Sequence, residues 1–309
     1  MNAKLIFTII GFGEVGSTVA SLINTRFESV FFNIVDPSLE ISGRILDFSN
    51  ACSVKRNEVF INDEHLTNLS DFVIYCAGFC NDIGASRNQV AQKNYLLVNE
   101  IFNHLKLKAN TCVIVVTNPV ELVSRWIYEA LNKSNLVLGT GTSLDSYRMN
   151  DLIAENEDLS LLEIDSMLLG EHGEYLVPIF SISSIKNKFG FDEFTDEKKH
   201  SFLQEVKHTA KQIRQTEKAT KYGVSECVIA ILRAFIEKEN LQISLSVMIN
   251  DFYKNLLQIK DNIFISLPCR ISNENITIVN LESLEKNEID ALIQASRHLS
   301  ETHKLSQKC

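Results

Sequence analysis

Two sets of residues in this chain have the types and spacing for chemistry. The first is Gly11-Phe12-Gly13-Glu14-Val15-Gly16, a glycine loop that interrupts an apolar run starting near Lys4 and continues as a helical pattern through Ala20. Strand, glycine turn and helix in that order suit a pyrophosphate: Gly11 permits the tight turn, Gly13 lets backbone come close to the ligand, and Gly16 lets the helix pack on the strand. A G-x-G-x-x-G alone is weak evidence. Here a second apolar run, Val30 to Val35, ends in Asp36, roughly 20 residues beyond the glycines, where the ribose 2′-hydroxyl of a dinucleotide needs an acceptor. That carboxylate would repel a 2′-phosphate, so NAD is expected rather than NADP. Glu14 fits poorly. It sets a carboxylate beside the diphosphate and would repel it unless its side chain turns outward to cap the helix.

The second set is Asp145, Arg148 and His172. His172 lies in Gly-Glu-His-Gly, a turn that does not commit its ring to a helix face, and a carboxylate accepting from one ring nitrogen would fix its tautomer and favour the imidazolium form. With Asp145 in that role the two make a general acid–base pair. Arg148 stands three residues after Asp145 and shares its helical face. Its guanidinium suits a substrate carboxylate held by a bidentate fork. The plainer alternatives are a solvated turn histidine and a surface ion pair.

Composition bounds what such residues serve. With 309 residues the chain has room for about two domains. Hydrophobic residues make up 45% and charged residues 22%, as in an ordinary folded protein, without repeats or low-complexity tracts. A net charge of −9 and the lack of a basic stripe argue against nucleic acid as a partner. The seven cysteines are scattered through mostly apolar runs, with no C-x-x-C metal pattern, so no metal site is expected and a reducing compartment fits best. No basic leader and no run of ~18 apolar residues occurs, and the expectation is a cytoplasmic protein without a membrane segment.

The elements that must position these residues can be read in order. Phe72 to Ala77 and Cys112 to Thr117 are short continuous apolar runs, the mark of strands buried on both faces. Leu39 to Ala51, Arg87 to Lys108 and a segment through Leu131 read as helices, and Asn135 to Leu138 as a further strand. This alternation predicts a doubly wound parallel sheet, an α/β fold of Rossmann type, with ligands at the strands' C-terminal ends, where Gly11, Asp36, Gly78, Asn118 and Gly139 fall. From Leu144 the texture changes to an α+β mixture: a helix to Glu157, strands near Ser166 and Val177, a long charged helix from Glu197 to Tyr222, strands from Leu241 and Ile263, and a helix from Ser283 to Leu299. The expected division is a dinucleotide-binding domain over 1–143 and a substrate domain over 144–309.

At this point the chain resembles the L-lactate and malate dehydrogenases over nearly its whole length. GFGEVG with Asp36 looks like their NAD site, including Val15 and Gly78; AGFCNDIGASR (Ala77 to Arg87) resembles their mobile substrate loop. TNPVE from Thr117, GTGTSLDSYR from Gly139 and GEHGE from Gly170 are similar to later family motifs, and KATKYGVS from Lys218 and IKDNIFISLPC from Ile259 resemble the lactate branch. The resemblance implies that His172 protonates the keto oxygen while NADH delivers hydride, that Asp145 stabilises the imidazolium, and that Arg148 clamps the substrate carboxylate. It implies that Arg87 polarises the carbonyl on a closing loop, that Asn118 places the nicotinamide, that Thr220 lines the pocket, and that Asn81 holds the position that sorts substrates. Gln there goes with lactate and Arg with malate; Asn81 is neither.

The resemblance further implies a small 2-oxo or 2-hydroxy acid substrate, a place in glycolysis and a homodimer or homotetramer. Many bacterial members respond to fructose 1,6-bisphosphate through an Arg and a His whose positions here are Asn150 and Asp165, so no response is expected. Two departures stand out. The substrate loop carries Ile83 and Ala85 around Gly84 where a proline and an acid are usual, and Ile271 to Ile276 lacks the glycine usual in the lactate branch. The favoured expectation is an L-lactate dehydrogenase; the alternatives are a malate or longer-chain 2-hydroxyacid dehydrogenase and a non-catalytic dinucleotide-binding paralogue.

Overall fold

Segments such as LIFTII and VFFNIV are apolar along nearly their whole length, so they are stable only with cover on both faces, and they form the centre of a parallel sheet. The computed structural model describes residues 4–79, 87–186, 188–189, 191, 194–217 and 219–306. These fall into two units, the first made of the described residues within 1–139, 221–229 and 305–309, the second of those within 140–220 and 230–304.

The first unit alternates β1 (Leu5–Ile10), α1 (Glu14–Arg26), β2 (Val30–Val35), α2 (Ser42–Val54), β3 (Glu58–Ile61), α3 (Glu64–Asn68), β4 (Phe72–Tyr75), α4 (Arg87–Phe102), β5 (Cys112–Val115), α5 (Val120–Ala130) and β6 (Leu136–Gly139). Its strands lie in the order β3-β2-β1-β4-β5-β6, every neighbour parallel, with Ile9 of β1 in register with Ile34 on one side and Ile74 on the other. The chain therefore runs outward from β1 in one direction and from β4 in the other. The switch point where doubly wound sheets take ligands therefore falls between β1 and β4, at their C-terminal ends. Two polar residues inside this sheet are paid for locally: Asn33 donates to Thr67 Oγ1 at 2.8 Å and to the Asp63 carbonyl at 2.9 Å, and Thr8 shares a 2.7 Å hydrogen bond with Ser70. Left unpaired, each would cost about 1–3 kcal/mol.

The second unit contains α6 (Ser143–Glu157), β7 (Ile164–Asp165), β8 (Leu168–Gly170), β9 (Leu176–Pro178), β10 (Ser184–Ile185), β11 (Lys188–Phe189), α7 (Asp196–Ile213), the later part of α8 (Tyr222–Ile236), β12 (Leu241–Met248), α9 (Asp251–Leu256), β13 (Phe264–Ser272), β14 (Asn275–Ile278) and most of α10 (Lys286–Ser306). Here the pairing is antiparallel, in the order β12-β13-β8-β9 with β14 also on β13, beside a small sheet of β11, β10 and β7. Met149 and Ile153 of α6 pack with Leu168, Phe191, Phe202 and Val206 in one core. The β13–β14 hairpin turns on Asn273 and Glu274, with φ of 50° and 65°. Two left-handed residues are the requirement of a type I′ turn, which answers how this segment turns without glycine.

Several elements differ from their expected extents. The helix from Arg87 stops at Phe102 rather than Lys108, because Asn68 takes over the following amides: its side chain accepts from Lys106 N–H at 2.7 Å and its carbonyl from Lys108 N–H at 2.9 Å. The helix expected over Glu197 to Tyr222 ends at Ile213, whose carbonyl receives both the Thr216 and Glu217 amides and turns the chain before a separate helix, α8, begins at Tyr222. α8 itself was not expected. Its sequence is apolar along most of its length, and a continuous apolar run does not by itself tell a buried helix from a buried strand. Of the substrate loop expected over Ala77 to Arg87, residues 80–86 lie outside the described residues. Among the described residues no helix is long and apolar enough to cross a membrane.

Candidate active site

The glycine loop is shaped by contact with its neighbours. Gly11 has φ +88°, and a Cβ there would lie 2.4 Å from the backbone nitrogen of Ala77; one on Gly16 would lie 2.0 Å from the Gly11 carbonyl oxygen. Gly13 is different: it is exposed, and a Cβ on it would meet nothing within 4 Å. The first two glycines are thus required by the protein itself, while at Gly13 the space lies open above the start of α1, whose N-terminus no side chain caps. This is the arrangement that receives a diphosphate, so the loop fits the dinucleotide inferred from it. Asp36 is held by the amides of Phe12 at 2.8 Å and Ser38 at 3.0 Å, which aim its carboxylate at the end of β2. Val15 is half-buried on α1.

Glu14 does not cap the helix. Its Oε1 receives Arg44 Nη2 at 2.7 Å and its Oε2 receives Lys221 Nζ at 2.9 Å, while Arg44 Nη1 donates to the Phe12 carbonyl at 3.2 Å. The hydrogen bond from Lys221, together with the charge of Arg44 and against some desolvation, holds the Glu14 carboxyl below its ordinary pKa. Arg44 and Lys221 were not foreseen. The available signal was Glu14 itself, because a carboxylate at this point demands counter-charge.

In the second unit, α6 carries Asp145 and Arg148 one turn apart, and the turn after β8 carries His172. Asp145 Oδ2 is 2.6 Å from His172 Nδ1, and its Oδ1 accepts from Arg148 Nη1 at 3.1 Å. The three residues expected to act together are brought together. The carboxylate side chain is only 5% exposed, against 25% for His172 and 10% for Arg148. Burial alone would raise the Asp145 pKa; the charge and hydrogen bond of His172, then those of Arg148, outweigh it and hold the carboxyl below its usual value. The pair with Arg148 is buried, which sets aside a surface ion pair. The turn is tied down from both sides: Glu171 accepts the Tyr175 amide at 3.2 Å, and His298 of α10 stacks on Tyr175 with ring centroids 4.4 Å apart.

The remaining expected residues are placed less tightly. Gly78 follows β4, where a Cβ would be 2.4 Å from Thr117 Cγ2. Asn118 is exposed after β5, and its carbonyl accepts from Asn94 Nδ2 at 3.2 Å. Asn94 was missed: it is 1% exposed, also receives the Phe79 amide at 2.7 Å, and so holds the chain after β4 to the chain after β5. Nothing in its helical context distinguishes it from a surface amide. Thr220 is half-buried ahead of α8. Arg87 begins α4, with its side chain outside the described residues, as is all of Asn81. Asn150 accepts the Ser166 amide at 2.9 Å, and burial raises the Asp165 pKa.

The chain is 25% identical over 307 residues to an L-lactate dehydrogenase of Clostridium botulinum (strain Loch Maree / Type A3), covering 96% of this chain and 95% of that enzyme. It is 27% identical over 286 residues to the L-lactate dehydrogenase of Halalkalibacterium halodurans, covering 91% and 90%. Among solved structures, a lactate dehydrogenase from a Medee basin deep-sea metagenome library superposes with a TM-score of 0.86 at 21% identity over 98% of this chain and 99% of that one. The apo malate dehydrogenase of Picrophilus torridus does so with a TM-score of 0.86 at 20% identity, covering 98% of each. Residues 6–138 match the lactate/malate dehydrogenase NAD binding domain and residues 142–306 the lactate/malate dehydrogenase alpha/beta C-terminal domain, so the chain belongs to the lactate/malate dehydrogenase family and is an NAD-dependent oxidoreductase acting on a hydroxyl group.

Proposed function

We propose that this oxidoreductase interconverts L-lactate and pyruvate, with residues 1–143 holding the dinucleotide through Gly11, Gly13, Val15, Gly16, Asp36, Gly78 and Asn118, and residues 144–309 carrying the proton chemistry. The observation that carries the proposal is the 2.6 Å contact between His172 Nδ1 and Asp145. It commits one ring nitrogen to a buried carboxylate and leaves proton exchange to Nε2. Bound NADH supplies the hydride, and NAD accepts it in reverse. His172 gives its Nε2 proton to the keto oxygen as the carbonyl carbon gains the hydride, and the carbonyl π pair becomes the new O–H bond. A neutral imidazole remains on Asp145, whose charge favours its reprotonation; in the reverse direction the same nitrogen takes the hydroxyl proton. Arg148 spends one nitrogen on Asp145 and offers its other N–H groups to the substrate carboxylate. Arg87 polarises the carbonyl once water is excluded, Asn118 bonds the substrate oxygen, and Thr220 and Asn81 shape the pocket.

Pyruvate is favoured over oxaloacetate because a neutral Asn81 cannot pair with a second carboxylate, and burying that charge unpaired costs several kcal/mol. The shorter Asn side chain leaves space for 2-oxobutanoate or branched 2-oxo acids. The names of the bacterial relatives support the lactate assignment. We place the reaction in the cytoplasm, in glycolysis, in a homodimer or homotetramer; free thiols at Cys52, Cys76, Cys112 and Cys269 suit a reducing compartment.

Loss of NADH absorbance measured with pyruvate, oxaloacetate and 4-methyl-2-oxopentanoate tests this, in the wild type and in Asn81→Arg. The expected wild type has its highest kcat/KM on pyruvate, and the variant gains on oxaloacetate. A wild type that prefers oxaloacetate is a malate dehydrogenase. A variant that gains nothing removes Asn81 as the selector, and a wild type that binds NADH without turning over any of the three is a binding protein.

A further inference from the structure

The dinucleotide loop carries an anion of its own. Glu14 is the first residue of α1, at the helix end where negative charge is favoured. Both of its oxygens are spent on cations, Arg44 at 2.7 Å and Lys221 at 2.9 Å, and Arg44 also reaches the loop backbone at Phe12. All three side chains are partly open to water, at 31% for Glu14, 38% for Arg44 and 19% for Lys221. Ion pairs in that setting hold weakly, so they can exchange partners. A diphosphate arriving over Gly13 brings two negative charges and several strong acceptor oxygens to cations that now share one carboxylate.

We propose that Glu14 is a built-in stand-in for the dinucleotide diphosphate: it keeps Arg44 and Lys221 gathered at the glycine loop, and both cations transfer to the diphosphate when the cofactor docks. Glu14, already in contact with solvent, turns outward as they leave. The carboxylate therefore preorganises the cations and also competes for them, which weakens cofactor binding and speeds its release. This rests on the NAD site of the family and not on which hydroxy acid is the substrate.

The test is calorimetric titration of the purified full chain with NADH, with ADP-ribose, which has the diphosphate without the nicotinamide, and with adenosine, which has neither. Glu14→Gln is expected to bind NADH and ADP-ribose roughly twofold to fivefold more tightly, and Arg44→Gln and Lys221→Met to bind both more weakly by similar factors. Adenosine binds all four proteins alike, and the differences vanish near 1 M salt, where screening acts within about 3 Å. If Glu14→Gln binds ADP-ribose no more tightly than the wild type, the carboxylate does not compete and the proposal fails. If adenosine affinity falls together with that for ADP-ribose in the Arg44 and Lys221 variants, the cluster is a structural pin and the proposal fails equally. A wild type that binds no NADH would instead overturn the cofactor site itself.

Discussion

At the glycine loop and around Asp145 the same arrangement recurs. One carboxylate takes a guanidinium nitrogen on one oxygen and a second basic nitrogen on the other: Glu14 with Arg44 and Lys221, Asp145 with Arg148 and His172. The carboxylate side chain is 31% exposed in the first and 5% in the second. That difference decides what each cluster can do. A half-exposed anion is already partly hydrated, so its partners leave at small cost; a buried one has no substitute for them, and every change of protonation or partner is felt in full. The first suits exchange of charge with a ligand. The second suits a fixed frame around one moving proton.

The comparison breaks most visibly at His172. His172→Asn should lower kcat by about 10²- to 10⁴-fold while NADH affinity stays as in the wild type, since the proton donor is lost and the glycine loop is untouched. Stopped-flow turnover alongside NADH titration checks this, and retained turnover would move the acid elsewhere. Next is Asp145→Asn, which strips the buried frame of its charge and should cost about 3–5 kcal/mol of stability by chemical denaturation. The sign with pH follows from a carboxyl held below its ordinary pKa. Its stabilisation is fully present above about pH 4 and is lost as pH falls through the depressed folded value, so the gap between wild type and variant should narrow on acidification. A gap that stays constant below pH 4 would mean that the charge of Asp145 is not what stabilises the unit.

Loss of the carboxylate at the glycine loop should be mild. Glu14→Ala is expected to shift stability by less than about 1 kcal/mol, and a loss as large as that at Asp145 would erase the distinction between the clusters. The smallest expected effect is none: fructose 1,6-bisphosphate should leave the pyruvate KM unchanged, because Asn150 is spent on the Ser166 amide and Asp165 is an acid where a phosphate needs a cation. A clear fall in KM would refute this.

Much of this is legible in the amino-acid sequence. Gly11 and Gly16 could be read because their work is done by backbone over a short stretch, and Asp36 because its carboxylate ends a strand at a fixed distance beyond them, so local spacing encodes all three. Asp145, Arg148 and His172 could be grouped because two share a helical face and the third sits in a glycine-flanked turn. Arg44 and Lys221 could not, since they reach Glu14 from 30 and 207 residues away and no local pattern marks a cation for a distant partner. Asn94 was hidden for the same reason, its partners lying after two different strands. α8 escaped because a continuous apolar run does not by itself distinguish a buried helix from a buried strand.

The hairpin at Asn273 and Glu274 leaves a stabilising step open to drift or design. Glu274 stands at φ 65°, where an L side chain costs roughly 1–2 kcal/mol that glycine does not incur. Its compensation is an ion pair with Lys238 at 3.1 Å between side chains 61% and 63% exposed, which is worth little. A single change to glycine would therefore add stability in reserve, and such reserve lets an enzyme accept costly substitutions elsewhere, including those that refit a pocket to a new acid.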